Sequence, residues 1–119
     1  MNSINAGKIF INSTNTSFCY AEHASGITIT DALTGSCASF SSFCNTKASE
    51  LIIYVEQSNF EFKFCNVLKN EYHGSEFGTL TAITSAEIKV NNCSFLGNIG
   101  PNSDFSLYTD DCIFEIENT

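Results

Sequence analysis

The chain has 119 residues, 43% of them hydrophobic, enough for one domain with a buried core. Its 13 acidic residues outnumber five lysines, there is no arginine, and the net charge of −8 repels phosphate backbones and anionic bilayers, which excludes nucleic-acid binding. No stretch approaches the roughly 20 apolar residues of a membrane span.

The start, Met1-Asn2-Ser3-Ile4-Asn5, lacks the basic and apolar regions of a signal peptide. The chain is therefore expected to be cytosolic, or to be a piece of a longer protein and then extracellular or at the cell surface. The first apolar run is Lys8-Ile9-Phe10-Ile11, followed by a polar stretch and a Phe-Cys step at Phe18-Cys19. Ile27-Thr28-Ile29-Thr30 precedes the same step at Phe43-Cys44, and Leu51-Ile52-Ile53-Tyr54-Val55 precedes it at Phe64-Cys65. Asn66 to Gly74 is the best place for a helical turn. Leu80-Thr81-Ala82-Ile83 and Ile88-Lys89-Val90-Asn91 lead to Cys93-Ser94-Phe95, and Phe105-Ser106-Leu107-Tyr108 leads to Cys112-Ile113-Phe114. Alternation is clearest in Phe60-Glu61-Phe62-Lys63-Phe64 and Ile113-Phe114-Glu115-Ile116-Glu117, the mark of half-buried strands. No apolar stripe of helical period lasts beyond one turn.

The steps at Phe18, Phe43, Phe64, Phe95 and Phe114 recur irregularly within the range of solenoid repeats, roughly 20–50 residues. Each unit reads strand, polar turn, strand, polar turn. A right-handed parallel β-helix of about five irregular coils, one domain over residues 1–119, is expected. Stacked coils put like residues on like, which suits the recurring Phe, Cys and Asn (Asn45, Asn66). The alternative is an antiparallel β-sandwich, but the Asn-Gly and Asp-Gly hairpin signals are missing.

The pattern resembles right-handed parallel β-helix repeat proteins, which implies inward aliphatic and aromatic ladders with Asn at the turns. Phe95-Leu96-Gly97-Asn98 also resembles the Phe-x-x-Asn repeat of polymorphic outer-membrane-protein-like surface proteins, which implies a surface role. The companion Gly-Gly-Ala motif of that family is absent.

Six cysteines (Cys19, Cys37, Cys44, Cys65, Cys93, Cys112) are an even set, as three disulfides would need. Their periodic placement favours free thiols acting as small buried hydrophobes, because side chains in a ladder run parallel. No zinc spacing is present. Asn12, Asn15 and Asn92 head glycosylation sequons, which matter only in a secreted protein.

Glycoside hydrolysis needs two facing carboxyls. Asp110-Asp111 is the only adjacent acidic pair, and His73-Gly74 resembles a piece of a pectin-hydrolase site, in the wrong order and without arginine to grip an anionic sugar. Asp110 and Asp111 read as turn residues, and His73, near Glu71 and Glu76, as a surface loop histidine. Asp104, Asp110 and Asp111 lack calcium-loop spacing. His23 and His73 are the only histidine bases. Thr28/Thr30 and Thr79/Thr81 read as outward strand threonines, and Tyr20, Tyr54, Tyr72 and Tyr108 as exposed aromatics suited to stacking on sugars or peptides.

No catalytic, cofactor or metal site is assigned. The expected function is a non-catalytic interaction module or structural spacer, with a glycan or protein partner and possible end-to-end self-association. A β-helix carbohydrate-active enzyme is the alternative.

Overall fold

A computed structural model of the chain describes residues 7–109 and 111–119. Every strand pairing in it is parallel, and the strands stack as a β-solenoid of about four turns. The first sheet holds β1 (Phe10–Asn12), β5 (Ser36–Ser39), β9 (Asn59–Lys63), β13 (Glu87–Asn91) and β16 (Ile113–Glu117). The second holds β2 (Asn15–Ser17), β6 (Ser42–Cys44), β10 (Asn66–Leu68) and β14 (Ser94–Leu96). The third, short sheet is β3 (Tyr20–Ala21), β7 (Lys47–Ala48) and β11 (Glu71–Tyr72). The fourth is β4 (Ala24–Thr30), β8 (Leu51–Glu56), β12 (Leu80–Ile83) and β15 (Phe105–Leu107). Among the described residues only the first sheet reaches a fifth level, hence about four turns rather than five. Stacked hydrogen-bond partners are separated by 24 to 28 residues.

The alternation in the sequence becomes two inward ladders in the first sheet. One stacks Ser36, Phe60, Ile88 and Phe114; the other stacks Ile11, Ala38, Phe62, Val90 and Ile116. Along both ladders apolar side chains meet their counterparts one coil away, at the strand spacing of about 4.8 Å. The fourth sheet adds Ile27, Ile29, Ile53, Val55, Leu80 and Ala82, all essentially buried.

The corners are made by single residues in the left-handed region. Ser13, Phe40, Phe64, Asn92 and Asn118 occupy one corner at φ 48–52°, and Phe18, Asn45, Lys69 and Gly97 occupy the next at φ 53–68°. Each lets the chain change sheets and resume pairing at once. Asn and Gly tolerate this conformation; Phe does not, at a cost of roughly 1–2 kcal/mol.

The Phe-x-x-Asn motif has a physical reason here. Val67 and Phe95 are register partners pointing inward, and Asn70 and Asn98 follow each by three residues, just past the corner. The Asn70 Oδ1 accepts the Thr46 backbone N–H (3.0 Å), and its Nδ2 donates to the Phe43 carbonyl (2.8 Å). One coil on, Asn98 does the same to the Asn70 N–H (3.1 Å) and the Val67 carbonyl (2.9 Å). Each amide satisfies a backbone N–H left free where the chain turns and ties it to a carbonyl of the preceding coil.

Several local expectations are corrected. Asn66 to Gly74 holds β10 and β11 rather than a helical turn, because its residues pair in register with the coil before. The Phe-Cys steps are not one repeat position: Phe43 points inward, whereas Phe18 and Phe64 are exposed corner residues. Thr79 and Thr81 are buried, not outward; Thr79 donates to Asp104 (2.9 Å) and Thr81 accepts the Gly78 N–H (3.0 Å). Tyr72 is buried too, with its hydroxyl donating to the Asn102 carbonyl (2.7 Å).

Candidate functional site

Exposed aromatic residues concentrate where the first sheet meets the second. Phe40 and Phe64 lie at the same corner on neighbouring coils, 64% and 50% exposed, their rings stacked 5.2 Å apart and 3° from coplanar. Phe10 projects outward from β1 on the adjoining sheet, 69% exposed. The ridge is disfavoured twice over, by the left-handed backbone and by exposure, whereas Asn92 and Asn118 serve the same corner on the later coils. Strain of this kind marks places kept for reasons other than stability. Beyond the ridge, Phe18 (83% exposed) and Tyr20 (76%) flank the other side of the second sheet.

The outer face of the first sheet forms a groove of about 580 Å³. Glu61, Glu87 and Glu115 line it together with Lys89 and Asn59. Glu61, Lys89 and Glu115 share one outward ladder, and Lys89 Nζ lies 3.8 Å from Glu115. The strand alternation that sends Phe60, Phe62 and Phe114 inward sends these side chains out.

The residues singled out from the sequence are scattered. Asp111 sits at an exposed turn, accepting hydrogen bonds from Ser85 and Thr109 (both 2.6 Å), and these hold its carboxyl well below the usual range. Asp110 lies outside the described residues. Neither Asp111 nor His73 lines the groove. His73 is exposed and pairs with Glu71 (3.3 Å), which also pairs with Lys47 (3.3 Å). His23 Nδ1 bonds the Glu50 carboxylate one coil on, and its ring packs 4.8 Å from Tyr54. Burial, and then donation to Glu56, push the Tyr54 phenol up to about 12. Asp104 is engaged by Thr79 and Asn98, and among the described residues no group of three or more His, Cys, Asp or Glu is arranged to hold a metal.

All six cysteines are free, with Cys65, Cys93 and Cys112 buried and Cys19 exposed. They do not share one coil position. Cys37 stacks between Phe10 and Glu61 on the outer face, and Cys44 stacks on Leu68. Cys65 and Cys93 alone are neighbours in one ladder.

Sequence reading missed Phe40, Glu61, Glu87 and Glu115. Phe40 is in phase with the inward Ala38, so alternation alone would bury it; the left-handed corner turns it outward. Glu61 and Glu115 were readable as the outward members of the two clearest alternating runs. The chain matches no protein-family model, no curated protein and no solved structure.

Proposed function

We propose that this chain is a non-catalytic β-helix interaction module that meets its partner, a protein or a glycan, through the aromatic ridge of Phe40 and Phe64 and the neighbouring Phe10. The observation that carries this reading is the ridge itself: two bulky rings held in a costly backbone conformation and left in solvent. Exposed aromatic clusters are the usual anchors of interfaces. A parallel solenoid is suited to the task because its binding surface is a side-chain array on rigid strands. A cell-surface setting fits this reading.

The test uses Phe40→Asn/Phe64→Asn, which installs the residue that the same corner carries at Asn92 and Asn118. Relief of left-handed strain offsets the lost ring stacking, so stability should stay within about 1 kcal/mol of the parent. Binding on glycan arrays and to displayed surface proteins should fall to background. Retained binding by the folded double variant would refute the ridge as the contact.

The second reading, a carbohydrate-active enzyme, is favoured by the groove with Glu61, Glu87 and Glu115. Glu61 and Glu115 are two coils apart on one ladder, roughly the separation that inverting hydrolysis uses. Turnover of polysaccharides that Glu61→Gln and Glu115→Gln each abolish would establish it; no turnover by the parent chain would end it.

A further inference from the structure

We propose that the corner of the first coil holds a binding slot for one neutral sugar ring, with the open face of Phe40 as its wall, Ser13 as its floor, and Asn12 and Asn15 on its two sides. The proposal rests on the aromatic ridge being the contact surface, and of the two partner classes it selects the glycan. Ser13, Phe40 and Phe64 hold one ladder position on successive coils. Their backbone N–H groups make equivalent bonds to the carbonyls of Ser39, Lys63 and Asn91 (3.1, 3.1 and 3.0 Å).

The ring stack fixes which faces are open. Phe40 and Phe64 are 3° from parallel, with centroids 5.2 Å apart. Rings that close cannot lie side by side in one plane, because their edge atoms would overlap; carbon contacts need about 3.5 Å between the planes. The ring normals therefore run mainly along the solenoid axis. Phe64 covers one face of Phe40, and the other face looks toward the level of Ser13. A serine side chain is too short to cover a phenyl ring, and Phe40 stays 64% exposed. One coil height of about 4.8 Å separates the two levels, room for a single ring stacked on the open face. The opposite end of the stack differs: there Phe64 meets the level of Asn92, a larger residue whose amide donates to Asn91 (2.8 Å).

The groups around the slot select the kind of ring. Asn12 immediately precedes Ser13 and Asn15 follows it by two residues; both are exposed. Their register partners on the second coil, Ser39 and Ser42, flank Phe40 in the same way. All four side chains are neutral and can both donate and accept. Asn12 Oδ1 accepts from Ser39 Oγ (3.2 Å), which holds the amide in place and leaves its Nδ2 for a ligand. A pyranose offers an apolar C–H face to the Phe40 ring and hydroxyls along its edge to these groups. An aromatic side chain from a protein would cover the same face but bury the flanking amides without partners. The net charge of −8 and the absence of arginine disfavour anionic sugars.

The test is a titration of the full chain, followed by backbone amide resonances, with cellotetraose, xylotetraose, mannotetraose and chitotetraose, and with tetragalacturonate as the anionic control. At millimolar concentration at least one neutral sugar should bind, with shifts centred on residues 12–15 and 39–42, and the anionic one should not. Asn12→Ala and Asn15→Ala, both at exposed side chains, should each weaken binding by about 3–10-fold. Ser13→Phe installs the residue that the next two coils carry at this corner, so it lengthens the ridge while closing the slot; sugar binding should fall by more than about 10-fold. No shift with any neutral sugar, shifts centred elsewhere, or parent-like binding by Ser13→Phe overturns the proposal. Array binding that Phe40→Asn/Phe64→Asn abolishes and Ser13→Phe leaves intact would reject the slot and uphold the ridge, whereas array binding retained by the double variant would reject both.

Discussion

Asn70→Ala tests the idea that side-chain amides hold the coils together. Asn70 is 1% exposed and satisfies four partners: the N–H and Oγ1 of Thr46, the Phe43 carbonyl and Asn98 Oδ1. Alanine removes all four bonds. The Thr46 N–H then stays buried and unpaired, at about 1–3 kcal/mol, while the Phe43 carbonyl, on a strand paired to β10, loses only the amide's bond. Thr46 Oγ1 keeps its bond to Ser25 (2.8 Å), and Asn98 Oδ1 keeps the Asn70 backbone N–H, so neither adds a full penalty. The expected loss is about 2–4 kcal/mol, or a fall in Tm on the order of 10 °C. Denaturant unfolding followed by circular dichroism measures it. Amide exchange should show the protection lost first at Thr46 and its neighbours, since solenoid coils are coupled chiefly to adjacent coils. Asn98→Ala, at a less buried level, should cost less. A loss below about 1 kcal/mol for Asn70→Ala, or a larger loss for Asn98→Ala, would refute the reasoning.

Three further outcomes follow from individual contacts. Gly100→Ala should destabilise by about 1–3 kcal/mol, because a Cβ there would overlap the Tyr72 ring carbons; thermal unfolding reads the loss, and near-ultraviolet circular dichroism reads the displaced tyrosine. Tyr54 has a folded pKa of about 12, above its ordinary value of 10.0, so the neutral phenol favours the fold. That contribution is complete below pH 10 and is lost as pH rises toward 12. Tyr54→Phe should flatten the stability profile in that window, as denaturation at a series of pH values would show. Phe62→Ala, in a fully buried ladder between Ala38 and Val90, should cost about 3–5 kcal/mol in the same unfolding assay, whereas Phe18→Ala at an exposed corner should change stability by less than about 1 kcal/mol.

The repeat, the absence of helical stripes and the two clean alternating runs were enough to give the sequence a parallel β-helix reading. Alternation is a local property, so Phe60, Phe62 and Phe114 could be assigned inward without knowing what they would touch. The Phe-Cys steps misled because a strand and two different corners carry the same dipeptide. Only the register separates Phe43, stacked on Val67 inside, from Phe64, stacked on Phe40 outside. The same holds for the cysteines. Cysteine spacing in the chain cannot distinguish Cys65 and Cys93, one coil apart in one ladder, from Cys37 and Cys44 on outward faces, because coils of 24 to 28 residues bring together positions that no fixed interval names. Composition and periodicity determined that strands would stack. Coil length, which varies from turn to turn, decided which side chains became neighbours, and so placed the aromatic ridge, the carboxylate groove and the paired thiols.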